Sequence, residues 1–343
     1  MHRIMVILFI VVVLVIVSGT LHCYRLINSP LIVSSNQTYL VASGASLYRI
    51  THNLVDAGIV NMPAVIFRFY AMMTESQGQL KAGKYDISEV NSPRELLALL
   101  RSGKVMEWGI TFVEGWTFAD WRKALDAEPE IHQQISSETD LGIMTLLGKP
   151  GMNPEGWFFP DTYHFTSGDS DIDILRQAHR KMIRVLDENW PGRSVGNLIG
   201  TPYEALIIAS MIEKETGVND DRGRVARVFF NRLEQRMRLQ SDPTVIYGLG
   251  SRYKGDLLLR HLKEDTPYNT YVHAGLPPTP IAMPGLASIQ AALHPAAGEY
   301  LYFVAKGDGS SYFSKSLEEH NAAVERYQRS GRRKDYRSTQ QQY

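Results

Sequence analysis

The chain has 343 residues, 44% of them hydrophobic, which is enough to bury a core of about two domains and excludes a disordered protein. Lys+Arg and Asp+Glu both total 36, so no net field draws it toward nucleic acid or another polyanion. A single cysteine, Cys23, excludes a disulfide framework and a thiolate metal cluster.

From Ile4 to Leu21 the chain carries no charge. At helical rise those residues span about 27 Å, roughly one hydrocarbon core. A cleaved signal peptide would have a shorter apolar stretch and a small-residue cleavage site, so the reading is a retained transmembrane anchor over residues 1–23. Arg3 and Arg25 flank it almost symmetrically, which leaves an N-terminus-inside orientation as the default. Residues 24–37 read as a short connector.

Residues 38–105 read as a small α+β module. It has a strand at TYLVA, a helix from Ser46 to Ala57 closing at Gly58, a second helix over Pro63–Met73 and a strand following LKAGKYDI. Ser92-Pro93-Arg94-Glu95 has capping-box spacing ahead of ELLALLRSG. A larger α+β region follows over 106–329, with a strand near Trp108–Val113, helices near Phe118–Ala127 and Ile172–Asn189, and an aromatic-dense segment at Glu155–Tyr163. Residues 330–343 have few apolar side chains and are expected to be disordered.

Thr201-Pro202-Tyr203-Glu204 starts a helix strongly: a Thr cap, Pro in the first turn, and Glu three residues after the cap. The helix is mostly apolar from Leu206 to Ile212 and is expected to stop at a left-handed Gly217. Glu213 and Glu215 point about 200° apart, so only one of them shares a face with Ile208, Met211 and Ile212, and that one is Glu215. Apolar neighbours and the negative helix end both favour a neutral carboxyl, which is what protonation of a departing sugar oxygen requires. Against this stands the ordinary reading of a glutamate that reaches solvent or pairs with Arg222 or Arg224.

Asn219-Asp220-Asp221 is read as the cap of a following helix, with Val225, Val228, Phe229 and Leu233 inward and its arginines outward. Gln240, Ser241 and Asp242, in a turn before Pro243, are candidate substrate-binding residues; Asp242 serves either as a helix cap or in the site. Gln240 offers a donor and an acceptor to a sugar, and Tyr268, Asn269 and Tyr271 supply rings and an amide, although a packed loop would look alike. No histidine spacing suits a metal, so a metal-free mechanism without cofactors is expected.

Several blocks in order resemble the YceG-like (MltG) family of endolytic murein transglycosylases. They include VEGWT at 113–117, EGWFFPDTY at 155–163, EKETG at 213–217, NRL at 231–233, MRLQSDPTVIYG at 237–248, YNTY at 268–271, GLPP at 275–278, HPA at 294–296 and YLYFVA at 300–305. The resemblance implies that Glu215 is the catalytic acid/base, that Glu213 supports it, and that residues 41–60 open a LysM-like module. It implies an enzyme of the inner membrane, single-pass, with its catalytic domain on the periplasmic side. Peptidoglycan glycan strands would be the substrate, cut internally to terminate or trim nascent strands beside peptidoglycan synthases. A hydrolytic muramidase using Asp242 or Asp265 as second carboxylate, and a glycan-binding scaffold that does not cut, are the competing readings. Thr279, where Gly is expected, and Met283, where a small or polar residue is expected, depart from the family pattern.

Overall fold

The computed structural model describes residues 2–74, 80–194, 198–333 and 335. Most of the 330–343 tail, and its expected disorder, therefore lies outside the described residues. The chain divides into two compact units, one formed by 1–109 with 130–132 and 164–169, the other by 110–129, 133–163 and 170–343.

In the first unit, α1 (His2–Ile27) carries a stretch of mean hydropathy 3.2 with its side chains exposed, and is long and apolar enough to cross a membrane. It runs past the expected anchor end at residue 23. The connector thus begins as helix, and Ile27 is buried with Leu26, Leu31 and Val33 packed around the same core. That core forms between β1 (Thr38–Val41) paired antiparallel with β2 (Gly83–Asp86), and α2 (Leu47–Asp56), α3 (Ala64–Met73) and α4 (Pro93–Ser102). Leu54, Phe67, Tyr85 and Leu96 are fully buried at its centre. The Ser92–Glu95 box forms by half: Ser92 Oγ accepts from Glu95 N–H, but the Glu95 carboxylate takes the N–H of Asn91 rather than that of the cap.

The second unit is helix-rich. Strand β3 (Trp108–Thr111), within which the division between the units falls, pairs with β4 (Thr162–Phe165), which begins at the end of the aromatic segment and was not foreseen as a strand. Helix α5 (Phe118–Ala127) has a complete Thr117–Asp120 capping box, and α6 (Asp140–Leu146), also unforeseen, is short. Phe112 and Trp121 stack with ring centroids 3.7 Å apart, and α7 (Asp171–Asn189) starts at a Ser170–Asp173 capping box.

Helix α8 (Pro202–Glu215) is the hub: Ala205 to Ile212 are all buried, against α9 (Asn219–Glu234), α10 (Asp242–Leu249) and α12 (Leu286–Leu293). Each buried Leu or Ile contributes about 1.5–3 kcal/mol, so the apolar run of α8 is a main contributor to the core that carries its C-terminal end. Short α11 (Leu259–Leu262) precedes the YNTY turn, and the antiparallel pair β5 (Tyr302–Ala305) and β6 (Ser311–Ser314) leads into α13 (Leu317–Val324).

Three local expectations are corrected. Helix α8 ends because Thr216 is extended (φ −149°), not through a left-handed Gly217. Asn219, Asp220 and Asp221 do not cap α9; they form its first turn, where acidic groups still suit the positive helix end, and buried Asp221 instead accepts from Ser311 N–H at 2.7 Å. Nor does Asp242 cap α10, whose cap position is Ser241 without a side-chain bond.

Candidate active site

The two glutamates at the end of α8 diverge as their spacing requires. The Glu213 side chain is 3% exposed and accepts from Gly285 N–H at 3.0 Å, with Arg222 Nη2 3.4 Å away. Arg222, itself buried, donates further to Ser288 Oγ at 3.1 Å and to Asn219. Glu114 joins this cluster, its carboxyl pushed up by burial and by Glu213 against the pull of Arg222. Glu213 is thus occupied in a buried ion pair.

Glu215 faces a cavity of about 420 Å³, within the range typical of small-ligand sites. Ser241 Oγ donates to Glu215 Oε1 at 2.5 Å. The residue is half-buried, and crowding around its carboxyl pushes the pKa up to about 7. Desolvation is the main cause; Asp242 raises it further, while the Ser241 hydrogen bond and the Arg232 charge act the other way. A carboxyl near neutrality can both donate and recover a proton at physiological pH.

Gln240 and Asp242 line the same cavity. The Gln240 backbone is left-handed (φ 51°), held by its N–H to Thr270 O at 3.1 Å, and its side chain is exposed. Ser241 is anchored by its N–H to Thr270 Oγ1 at 3.0 Å, which fixes where its hydroxyl points. Tyr271 also lines the cavity and donates to Asp242 Oδ1 at 2.6 Å; burial, then that bond, hold its hydroxyl protonated well above the usual tyrosine range.

Asn269 and Tyr268 do not line this cavity. Asn269 is fully buried and its amide is consumed by the loop, donating to His261 O and Glu264 O and accepting from Tyr271 N–H. It shapes the turn that carries Tyr271. Tyr268 shares its hydroxyl hydrogen bond with Thr279 and packs edge-on against Tyr247, 4.8 Å between centroids. Tyr247 in turn donates to Glu155, a second buried carboxyl pushed up to about 7 by desolvation.

Sequence reasoning missed the other side of the cavity, where Arg232, Tyr302, Phe303 and α13 lie. The arginines of α9 were expected to face outward, yet Arg222 and Arg232 are 3% and 7% exposed. The signal existed: Arg232 follows Val225, Val228 and Phe229 at spacings of seven, four and three, the inner face of the helix. Its guanidinium donates to Leu301 O and Leu239 O, both at 2.7 Å, and sits over the Tyr302 ring.

The sequence model of the YceG-like family matches residues 39–326. The chain belongs to the YceG-like family. A relative from Bacillus subtilis (strain 168), named endolytic murein transglycosylase, is 34% identical over 304 residues, covering 84% of this chain and 83% of its own. One of the same name from Streptococcus pneumoniae serotype 2 is 29% identical over 83% of this chain; the match spans 57% of that longer relative. Among solved structures, a yceG-like protein from Listeria monocytogenes is 31% identical with a TM-score of 0.50, covering 83% of this chain and 98% of that one. Both departures from the YceG-like pattern find partners here. Thr279 bonds Tyr268, and fully buried Met283 places its sulfur 3.2 Å from the N–H of Gly156.

Proposed function

We propose that the chain is an endolytic peptidoglycan lytic transglycosylase with Glu215 as its single acid/base. The observation that carries this reading is a carboxyl with a pKa pushed up to about 7, bonded to Ser241 and opening into a cavity of ligand size. Neutral Glu215 protonates the oxygen between N-acetylmuramic acid and N-acetylglucosamine as the bond to the muramic C1 breaks. The carboxylate left behind, with Ser241 and the Arg232 charge beside it, takes the proton of the muramic 6-hydroxyl as that oxygen closes onto C1. A 1,6-anhydro end forms, no water is consumed, and the acid is regenerated. Gln240 and Asp242 bind the sugar, and Tyr271 orients Asp242.

The helix α1 fits single-pass membrane anchoring. The catalytic region, 106–329, would then lie on the periplasmic side of the inner membrane, terminating or trimming nascent strands near a synthase. Residues 38–105 would act as a LysM-like module holding glycan.

Hydrolysis remains a second reading because Asp242 shares the cavity with Glu215, as a paired-carboxylate mechanism would need. Asp265, exposed and paired with His273 at 2.7 Å, offers less support for that role. Digestion of purified glycan strands by the wild type and by Glu215→Gln, with mass analysis of the ends, tests both. Anhydro ends are lighter by one water than hydrolytic ends. Products unchanged by the substitution would remove Glu215 from the chemistry.

A further inference from the structure

His320 belongs to α13 and lines the Glu215 cavity, yet no role has been given to it. Its ring stacks on Tyr302 with centroids 5.2 Å apart and planes 26° from parallel. Nδ1 is buried and has no hydrogen-bond partner among the described residues. Nδ1 is left unpaired in either tautomer, so it makes no claim on the ring proton. The tautomer with the proton on Nε2, the nitrogen away from the buried position, is the one that can donate to a ligand. Burial, and then the charge of Arg232, lower the proton affinity of the ring and favour the neutral imidazole. Beside it, exposed Leu317 and partly buried Phe303 add apolar surface to the cavity.

We propose that this side of the cavity is an acetamide subsite, in which His320 Nε2–H donates to the carbonyl oxygen of a sugar N-acetyl group whose methyl lies against Phe303 and Leu317. The proposal rests on the Glu215 cavity being where the glycan binds. The carbonyl of an acetamide needs a donor and its methyl an apolar contact, and these three residues supply both.

Binding is measured with the full chain in detergent, in a Glu215→Gln background so that no turnover intervenes. The probes are peptide-free glycan strands and the same strands chemically de-N-acetylated. His320→Phe keeps the stack on Tyr302 and loses the donor; His320→Gln keeps a donor at similar reach. The expected result is a roughly tenfold weaker Kd of His320→Phe for acetylated strands, no loss for de-N-acetylated ones, and recovery of most of the affinity in His320→Gln. Equal losses on both strands, no loss on either, or no binding of either strand to the protein with His320 intact would overturn the proposal. Failure of the Glu215 reading shows elsewhere, in the product masses of the enzyme that retains Glu215.

Discussion

Ser241 Oγ donates to Glu215 Oε1 across 2.5 Å, tying the start of α10 to the last residue of α8. Donation to a carboxylate favours its ionised form, so this bond holds the Glu215 pKa lower than burial alone would. In Ser241→Ala the basic limb of the pH–rate profile is expected to move to higher pH. Turnover falls roughly ten- to a hundredfold, because the carboxylate formed in the first step loses a charge-assisted bond worth roughly 1.5–3 kcal/mol. An unmoved limb would take Ser241 out of the proton cycle.

The wild-type profile itself has a defined sign. Glu215 must be neutral to act as acid, and its pKa lies at about 7. Activity per enzyme should therefore decline as pH rises through 7, with one proton lost on that limb. Steady-state rates between pH 5 and 9 on isolated strands check this.

Stability responds to the same group. The folded chain holds the Glu215 proton up to about pH 7, whereas an unfolded glutamate releases it near 4.5. Between those values the folded state binds more protons, so stability drops as pH rises through the window. Glu215→Gln removes the penalty: the variant should be more stable than wild type at pH 8, by up to a few kcal/mol and with a higher Tm, and show a smaller gain at pH 5. Thermal melts at the two pH values separate this from a uniform effect.

Glu213, two residues earlier, should behave in the opposite way. Its side chain and that of Arg222 are 3% and 4% exposed, and truncating one partner strands the other charge without water. Glu213→Ala is expected to lose about 3 kcal/mol in urea unfolding at neutral pH. Stability equal to wild type would show that Glu114 takes over the pairing.

Gly156, in the block at 155–163, lies close against Pro280. Its φ is +83°, and a Cβ there would lie 2.5 Å from Pro280 Cγ. Gly156→Ala should cost about 3 kcal/mol from left-handed strain plus overpacking, read as a lower Tm.

Much of the site's framework was legible because it depends on short-range rules. The Thr201 cap and Pro202 located the start of α8, and helical geometry alone separated Glu213 from Glu215. Elements without a strong period were missed: β4 runs through an aromatic segment interrupted just before it by Pro160, and α6 is only seven residues long. The cap assignment failed at Asp242 because its side chain found a longer-range partner, Tyr271, that local sequence does not display, and at Asn219 because that residue already lies in the first turn of α9, where its side chain accepts from Arg222 three residues on.

The sequence by itself determined family, the apolar N-terminal helix and which glutamate points where, since each follows from composition, order or the helical repeat. Only the tertiary structure decided which residues meet in one cavity. Arg232, Tyr302 and His320 line the Glu215 cavity from elements up to about a hundred positions away, and Asn269 and Tyr268 do not line it although their neighbour Tyr271 does. Burial and charge at the carboxyl depend on that assembly, so its proton affinity is a property of the folded chain rather than of any motif.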